Sequence, residues 1–198
     1  MSGAGYDAIV LAGGQSQRMG GDAKTALEVG GIAILARVTA ALRRARRVVL
    51  VGDSVPGARA DVITHEEPPG GGPVAALAAG LRHVHAPIIL TLAGDLPFLT
   101  EAAVETLVGQ LRDDVQRAVA VDGVGREQLL CAAWTAPALR AALEALGSPI
   151  GAAMRGLVTP SIRTAKVNLP GEPPPWWDCD DPVQLALART AAGGQGDA

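Results

Sequence analysis

Apolar residues in this chain come in short runs that alternate with stretches of helical spacing. YDAIVLA (6–12), RVVLVG (47–52) and ADVITH (60–65) have the length and continuity of buried strands. Between the first two, residues 32–45 put Leu35, Val38 and Leu42 on one helical face, with arginines near its end, where the helix dipole favours cations. Pro73 stands where a first helical residue would, and Val74, Leu77, Leu81 and Val84 follow at helical spacing. PIILTLAGD (87–95) is the most apolar run, which predicts a central strand of a parallel sheet. Thr100 then predicts the cap of a helix carrying Val104, Leu107 and Leu111.

The second half is less regular. Residues 116–135 read as two strands around a glycine-containing turn, followed by a helix from Pro137 to Leu146. A short segment around Met154 and a strand over 161–169 come next. Asp181 caps, and Pro182 begins, a last helix; residues 191–198 read as a frayed tail. No internal repeat and no long linker divides the chain. The pattern predicts one α/β domain over residues 1–190, a Rossmann-like, doubly wound, mostly parallel sheet with ligands at the carboxyl ends of its strands.

Composition narrows the class further. The 198 residues suffice for one core, and 48% hydrophobic with 19% charged residues is a globular balance. A formal charge of −3 gives no electrostatic case for nucleic acid or membrane surfaces. With 3% aromatics, the core must rest on Ala, Val, Leu and Ile. No apolar stretch approaches the ~20 residues of a membrane span, and the N-terminus lacks a basic leader, so a soluble cytoplasmic protein is expected. Cys131 and Cys179 are far apart and carry no zinc signature; free thiols in a reducing compartment fit them best. His65, His83 and His85 lack metal-ligand spacing and read as surface residues.

The chemistry concentrates in VLAGGQSQRMGGDAKTALEVGG (10–31), where a strand runs into glycines backed by Arg18 and Lys24. Bare backbone with cations beside it suits a polyphosphate. The spacing of Gly13, Gly14, Gly20 and Gly21 is not the GxGxxG of a dinucleotide fold, although Asp53 after the second strand suggests a ribose-binding acid. Nor is it a Walker loop, since Ala23 rather than glycine precedes Lys24-Thr25. A plain strand-to-helix turn would explain the glycines but not the cations.

LAGGQSQRMGGDAK (11–24) does match the signature LxGGxSxRMGxxK, followed in order by PGGGPVAAL (69–77), AGDLPFL (93–99) and DCDDP (178–182). In these motifs the chain resembles the small nucleotidyltransferases typified by molybdenum cofactor guanylyltransferase. Two departures stand out: Ala23 separates Asp22 from Lys24, and Asp178 and Asp180 occupy places where guanylyltransferases often carry an Asn-x-Asn pair.

The resemblance implies transfer of GMP from GTP to the terminal phosphate of molybdopterin, with Mg²⁺ and release of pyrophosphate. Leu11 and Ala12 would begin the nucleotide loop, and backbone N–H groups of Gly13, Gly14 and Ser16 would reach phosphate oxygens. Arg18 offers a planar fork and Lys24 a point charge for the departing pyrophosphate. Asp95, at the end of the central strand, is the metal carboxylate, with Asp180, beside Asp178, as the second. Glu66, with Glu67 close behind, would face the base or ribose, and Gly71, Gly72 and Pro73 would bring a helix N-terminus near the nucleotide. Trp176 and Trp177 suit packing of a Pro-rich loop better than stacking on a pterin. Guanine-transferring relatives tend to read LAGG, as here, and cytosine-transferring ones LAAG. The alternatives are a cytidylyltransferase or another small-molecule nucleotidyltransferase, and a GTP-binding regulatory module that does not catalyse. Transient contact with other molybdenum cofactor biosynthesis proteins, or with molybdoenzymes, also follows from the resemblance; the oligomeric state does not.

Overall fold

The structure, a computed structural model, describes residues 5–13 and 24–193. The first apolar run forms β1 (Tyr6–Leu11), buried at every position. A 3-10 turn at Lys24–Ala26 leads into an antiparallel pair, β2 (Glu28–Val29) and β3 (Ile32–Ala33), then α1 (Ile34–Ala40). There follow β4 (Arg47–Val51), β5 (Val62–Thr64), α2 (Pro73–Leu81), β6 (Ile88–Ala93) and α3 (Glu101–Gly109). The second half supplies β7 (Arg117–Val121), β8 (Glu127–Thr135), α4 (Ala136–Leu146), β9 (Thr164–Asn168) and α5 (Pro182–Gly193).

Among the described residues, seven strands form one sheet in the order β5-β4-β1-β6-β8-β7-β9. β5, β4, β1 and β6 run parallel, as the apolar runs imply. β8 is antiparallel to both β6 and β7, while β9 returns parallel to β7. Alternating side chains of β1 feed two cores. Tyr6, Ala8 and Val10 meet Ile34, Leu35 and Val38 of α1 and Val104 and Leu107 of α3 on one face. Ile9 and Leu11 meet Val74 and Leu77 of α2 and Leu139 of α4 on the other. This is the expected doubly wound arrangement. No helix among the described residues is long and apolar enough to cross a membrane.

Several expectations need adjusting. β6 is central, but it pairs parallel on one side only, with β1; β8 on its other side is antiparallel. The helix expected over 32–45 is shorter, because Gly30 and Gly31 adopt φ of 63° and 72° and turn residues 28–33 into a hairpin. Its end closes after Ala40 through 3-10-type bonds, and Arg59 donates to the carbonyls of Leu42 and Ala45. Leu35, Val38 and Leu42 are nonetheless fully buried. β5 and β9 are shorter than their apolar runs, and α3 stops before Leu111. α5 continues through Gly193, so the first residues of the expected tail are helical; the rest lie outside the described residues. The caps hold: Thr100 accepts from Ala103 N at 3.2 Å, and Asp181 from Gln184 N at 2.8 Å while Gln184 Oε1 accepts from Asp181 N. Both cysteines are buried and neither forms a disulfide, and burial pushes the Cys131 thiol up to about 12.

One charge sits wholly inside. The Arg117 side chain is 0% exposed, donates to Glu127 Oε2 at 2.8 Å and lies over the Trp134 ring at 5.0 Å. Burial lowers its proton affinity, and Glu127 offsets part of that loss. The pair ties β7 to the start of β8, beside a register shift between Val119 and Val121. Removing only one partner leaves a buried charge uncompensated. Glu127→Ala should therefore cost about 3–5 kcal/mol in urea unfolding, whereas Arg117→Met should cost less, because the Glu127 left behind is 21% exposed and keeps Lys166 at 3.6 Å. Equal losses in the two variants would show that burial of charge is not the governing effect.

Candidate functional site

Four strand ends converge at the carboxyl edge of the sheet. Ala12 N donates to Val51 O at 2.8 Å, joining the ends of β1 and β4, and Gly52 N donates to Thr64 O at 2.9 Å, joining β4 to β5. Gly94 N donates to Leu11 O at 2.9 Å, joining β6 to β1. The approach is so close that side chains are excluded. A Cβ on Gly52, whose φ is +122°, would stand 2.5 Å from Gly13 N. One on Gly94 would meet Leu11 O and Thr25 Cγ2, each at 3.0 Å.

Above β1, β4 and β5 opens a cleft of about 260 Å³ lined by Gly13, Gly52, Asp53, His65, Glu66, Pro69 and Gly70. Glu66 is half-buried and its Oε1 accepts from Gly70 N at 3.0 Å, which fixes the loop that walls the cleft. Glu67 is exposed and does not line it. His65 Nε2 and Asp53 Oδ1 lie 3.2 Å apart at the rim. Leu11 and Ala12 are buried, and the Leu11 carbonyl and Ala12 amide serve the sheet junction, so they hold the strand ends together rather than line the cleft with side chains. Gly72, with φ of 90°, caps α2 and lies outside the cleft lining.

Asp95 follows β6, half-buried, in a turn held from several sides. Arg37 Nε donates to Pro97 O at 2.8 Å, and Phe98 stacks on Trp177 with ring centroids 5.8 Å apart. Cys179 N donates to Asp95 O at 3.2 Å, which draws the DCDDP segment to the end of β6. Asp180 is exposed beside it, and its backbone N–H donates to Gln184 Oε1. No group of three or more His, Cys, Asp or Glu side chains among the described residues could hold a metal by itself. Asp95 and Asp180 suit Mg²⁺ all the same, since that ion takes one or two carboxylates and completes its shell with water and substrate phosphates. Trp177 packs as its Pro-rich setting suggests. Gly14, Ser16 and Arg18 lie outside the described residues, as does the side chain of Lys24.

Sequence reasoning missed His65 as a cleft residue and weighed Asp53 only against a dinucleotide fold. The available signal was position: each stands just past the end of a parallel strand, where such sheets place ligands.

A mostly parallel α/β sheet with its cleft and its acid at the strand ends defines a nucleotide-binding class of fold. Residues 8–163 match the MobA-like NTP transferase domain, and the chain belongs to that family. A molybdenum cofactor guanylyltransferase of Rhodopseudomonas palustris (strain HaA2) is 37% identical over 138 residues, covering 64% of each chain. The chain thus spans slightly under two thirds of the curated relatives it matches. Among solved structures, a nucleotidyl transferase from Methanothermobacter thermautotroptrophicus superposes with a TM-score of 0.78 at 18% identity, over 96% of this chain and 99% of that one. The molybdopterin-guanine dinucleotide biosynthesis protein A of Archaeoglobus fulgidus gives 0.70 at 18%, over 95% and 99%. These likenesses establish the fold.

The glycine junctions make a stability test. Gly94→Ala should lose about 1–3 kcal/mol through overpacking against Leu11 and Thr25. Gly13→Ala should leave the melting temperature nearly unchanged, because its Cβ would meet Val51 O at an ordinary 3.7 Å. A thermal melt in which the two variants lose equal stability would contradict this packing.

Proposed function

We propose that this protein transfers GMP from GTP to the terminal phosphate of molybdopterin and releases pyrophosphate. The observation that carries the reading is the contact between Cys179 N and Asp95 O, which brings two acid-bearing segments to the strand edge that also holds the Gly13–Glu66 cleft. Family membership and the names of the curated relatives support the nucleotide and the acceptor.

A phosphate oxygen of the acceptor attacks the α-phosphorus of GTP; the bond from that phosphorus to the bridging oxygen breaks, and pyrophosphate leaves. Both reactants are anions, so repulsion must be screened and the attack held in line. Backbone N–H groups of Gly13, Gly14 and Ser16 take the phosphates, Arg18 grips them as a fork, and Lys24 follows the charge onto the pyrophosphate. Leu11 and Ala12 hold the start of that loop in the sheet, Glu66 faces the base or ribose, and Gly72 brings the N-terminus of α2 towards the nucleotide. Asp95 and Asp180 would hold Mg²⁺, which would neutralise charge on the phosphates. No covalent enzyme intermediate is needed. Its place is the soluble cytoplasm, where it would hand its product to molybdoenzymes or to other proteins of molybdenum cofactor synthesis.

Incubation with Mg²⁺, each NTP and a molybdopterin acceptor, with pyrophosphate as the readout, tests the assignment. Asp95→Asn keeps shape but removes charge, so turnover should fall at least about 100-fold while the circular dichroism spectrum persists. Near wild-type turnover at saturating Mg²⁺ would remove Asp95 from the metal site.

The base is tested at Gly13. The fold tolerates a methyl group there, so Gly13→Ala acts on the ligand. It should lower kcat/KM for GTP more than for CTP, by about 10–200-fold, because a purine fills the space the methyl takes. A wild type that uses CTP as well as GTP in direct competition would sink the guanylyl assignment and leave nucleotidyl transfer standing.

A further inference from the structure

We propose that Asp53, held in place by His65, reads the base edge of the nucleotide and separates GTP from CTP. This rests on the nucleotidyl-transfer reading above, and it assigns a role to the one side-chain pair among the described cleft residues that the reading leaves unused.

The argument begins with distance. Asp95 stands at the end of β6, and β4 lies two strands away across β1. At ordinary strand spacing that is about 10 Å, and β5 is one spacing farther. A nucleotide whose α-phosphate sits by Asp95 and whose phosphates follow Gly13 has its base over the ends of β4 and β5. Asp53 follows β4, and His65 follows β5.

Chemistry then separates the residues lining that end. Gly13, Gly52, Pro69 and Gly70 offer surface and backbone, which leaves Asp53, His65 and Glu66 as polar side chains. Glu66 is tied to its own loop through Gly70 N. Asp53 Oδ1 accepts from His65 Nε2, and Oδ2 has no partner among the described residues. Guanine presents two adjacent donors, N1–H and the N2 amino group, which a carboxylate can accept. Cytosine presents one amino donor beside two acceptors, and a carboxylate opposes those acceptors. The pocket therefore favours guanine through charge as well as through the space at Gly13.

His65 acts on Asp53, not on the base. Without its imidazole the Asp53 carboxylate is free to rotate into solvent, since its side chain is 91% exposed and that of His65 64%. An ion pair so exposed adds little to stability, so substitutions here report on ligand selection rather than folding.

The experiment measures kcat/KM for GTP and CTP, by pyrophosphate release with Mg²⁺ and acceptor, in the full chain and three variants. Asp53→Asn turns one acceptor into a donor, and should lower the GTP-to-CTP selectivity ratio at least about 10-fold. His65→Ala should lower it less, by about 3-fold or more, and His65→Gln, which can still donate to Asp53, should restore most of it. Thermal melts of all variants should match the wild type. A ratio that stays within 2-fold of wild type in Asp53→Asn, or rates for both nucleotides that fall together, overturns the assignment of Asp53 while transfer itself stands. A ratio lowered by His65→Ala that His65→Gln does not recover overturns the positioning role. No pyrophosphate from either nucleotide in the wild type overturns the transfer reading, and this inference with it.

Discussion

The close approach of three strand ends at Gly52 and Gly94 is the constraint on which the rest of this molecule depends. Hydrogen is the only substituent that fits at either position without displacing backbone. Because β1 is held by β4 on one side and β6 on the other, its last residues cannot relax when a neighbour is enlarged. Gly13 follows this junction, and both the cleft and the end of β6 that carries Asp95 lie at the same strand edge. The fold's packing and its ligand edge thus have one origin.

What the sequence made legible follows from range. Buried strands announce themselves by continuous apolar runs, so β1, β4 and β6 are plain, and the alternation of strand and helix gives the doubly wound sheet. The hairpin of β2 and β3 is too short to have a period, and its turn depends on positive φ at Gly30 and Gly31 that resembles ordinary helix-flanking glycine in sequence. The reversal at β8 was hidden for another reason. Strand direction is set by partners far along the chain, and Trp134, opposite both Ile89 and Arg117, carries no local mark of either pairing.

The candidate site divides in the same way. Gly13 and Glu66 were legible through a motif and a strand-end acid, and they share a cleft. Asp53 and His65 meet only because β4 and β5 pair in register, so eleven intervening residues hide their contact. Gly72 was placed by its glycine cluster, and its φ of 90° at the cap of α2 is a structural demand that looks identical in sequence to a ligand-binding one, so the two roles cannot be told apart from the chain alone.

The two ends of the site rest on unlike supports. The cleft end is fixed by backbone hydrogen bonds between β1, β4 and β5, which are continuous with the central sheet and open only when the sheet does. The Asp95 turn is held instead by Arg37 on Pro97, by the Phe98–Trp177 stack and by the Cys179 contact. Those anchors come from separate elements and can yield one at a time, at less cost than a strand. For the proposed transfer this asymmetry is apt. Base and sugar need a fixed seat throughout, whereas the metal end must admit an acceptor and release pyrophosphate on every turnover. In that proposal the rigid end would discriminate and the yielding end would turn over.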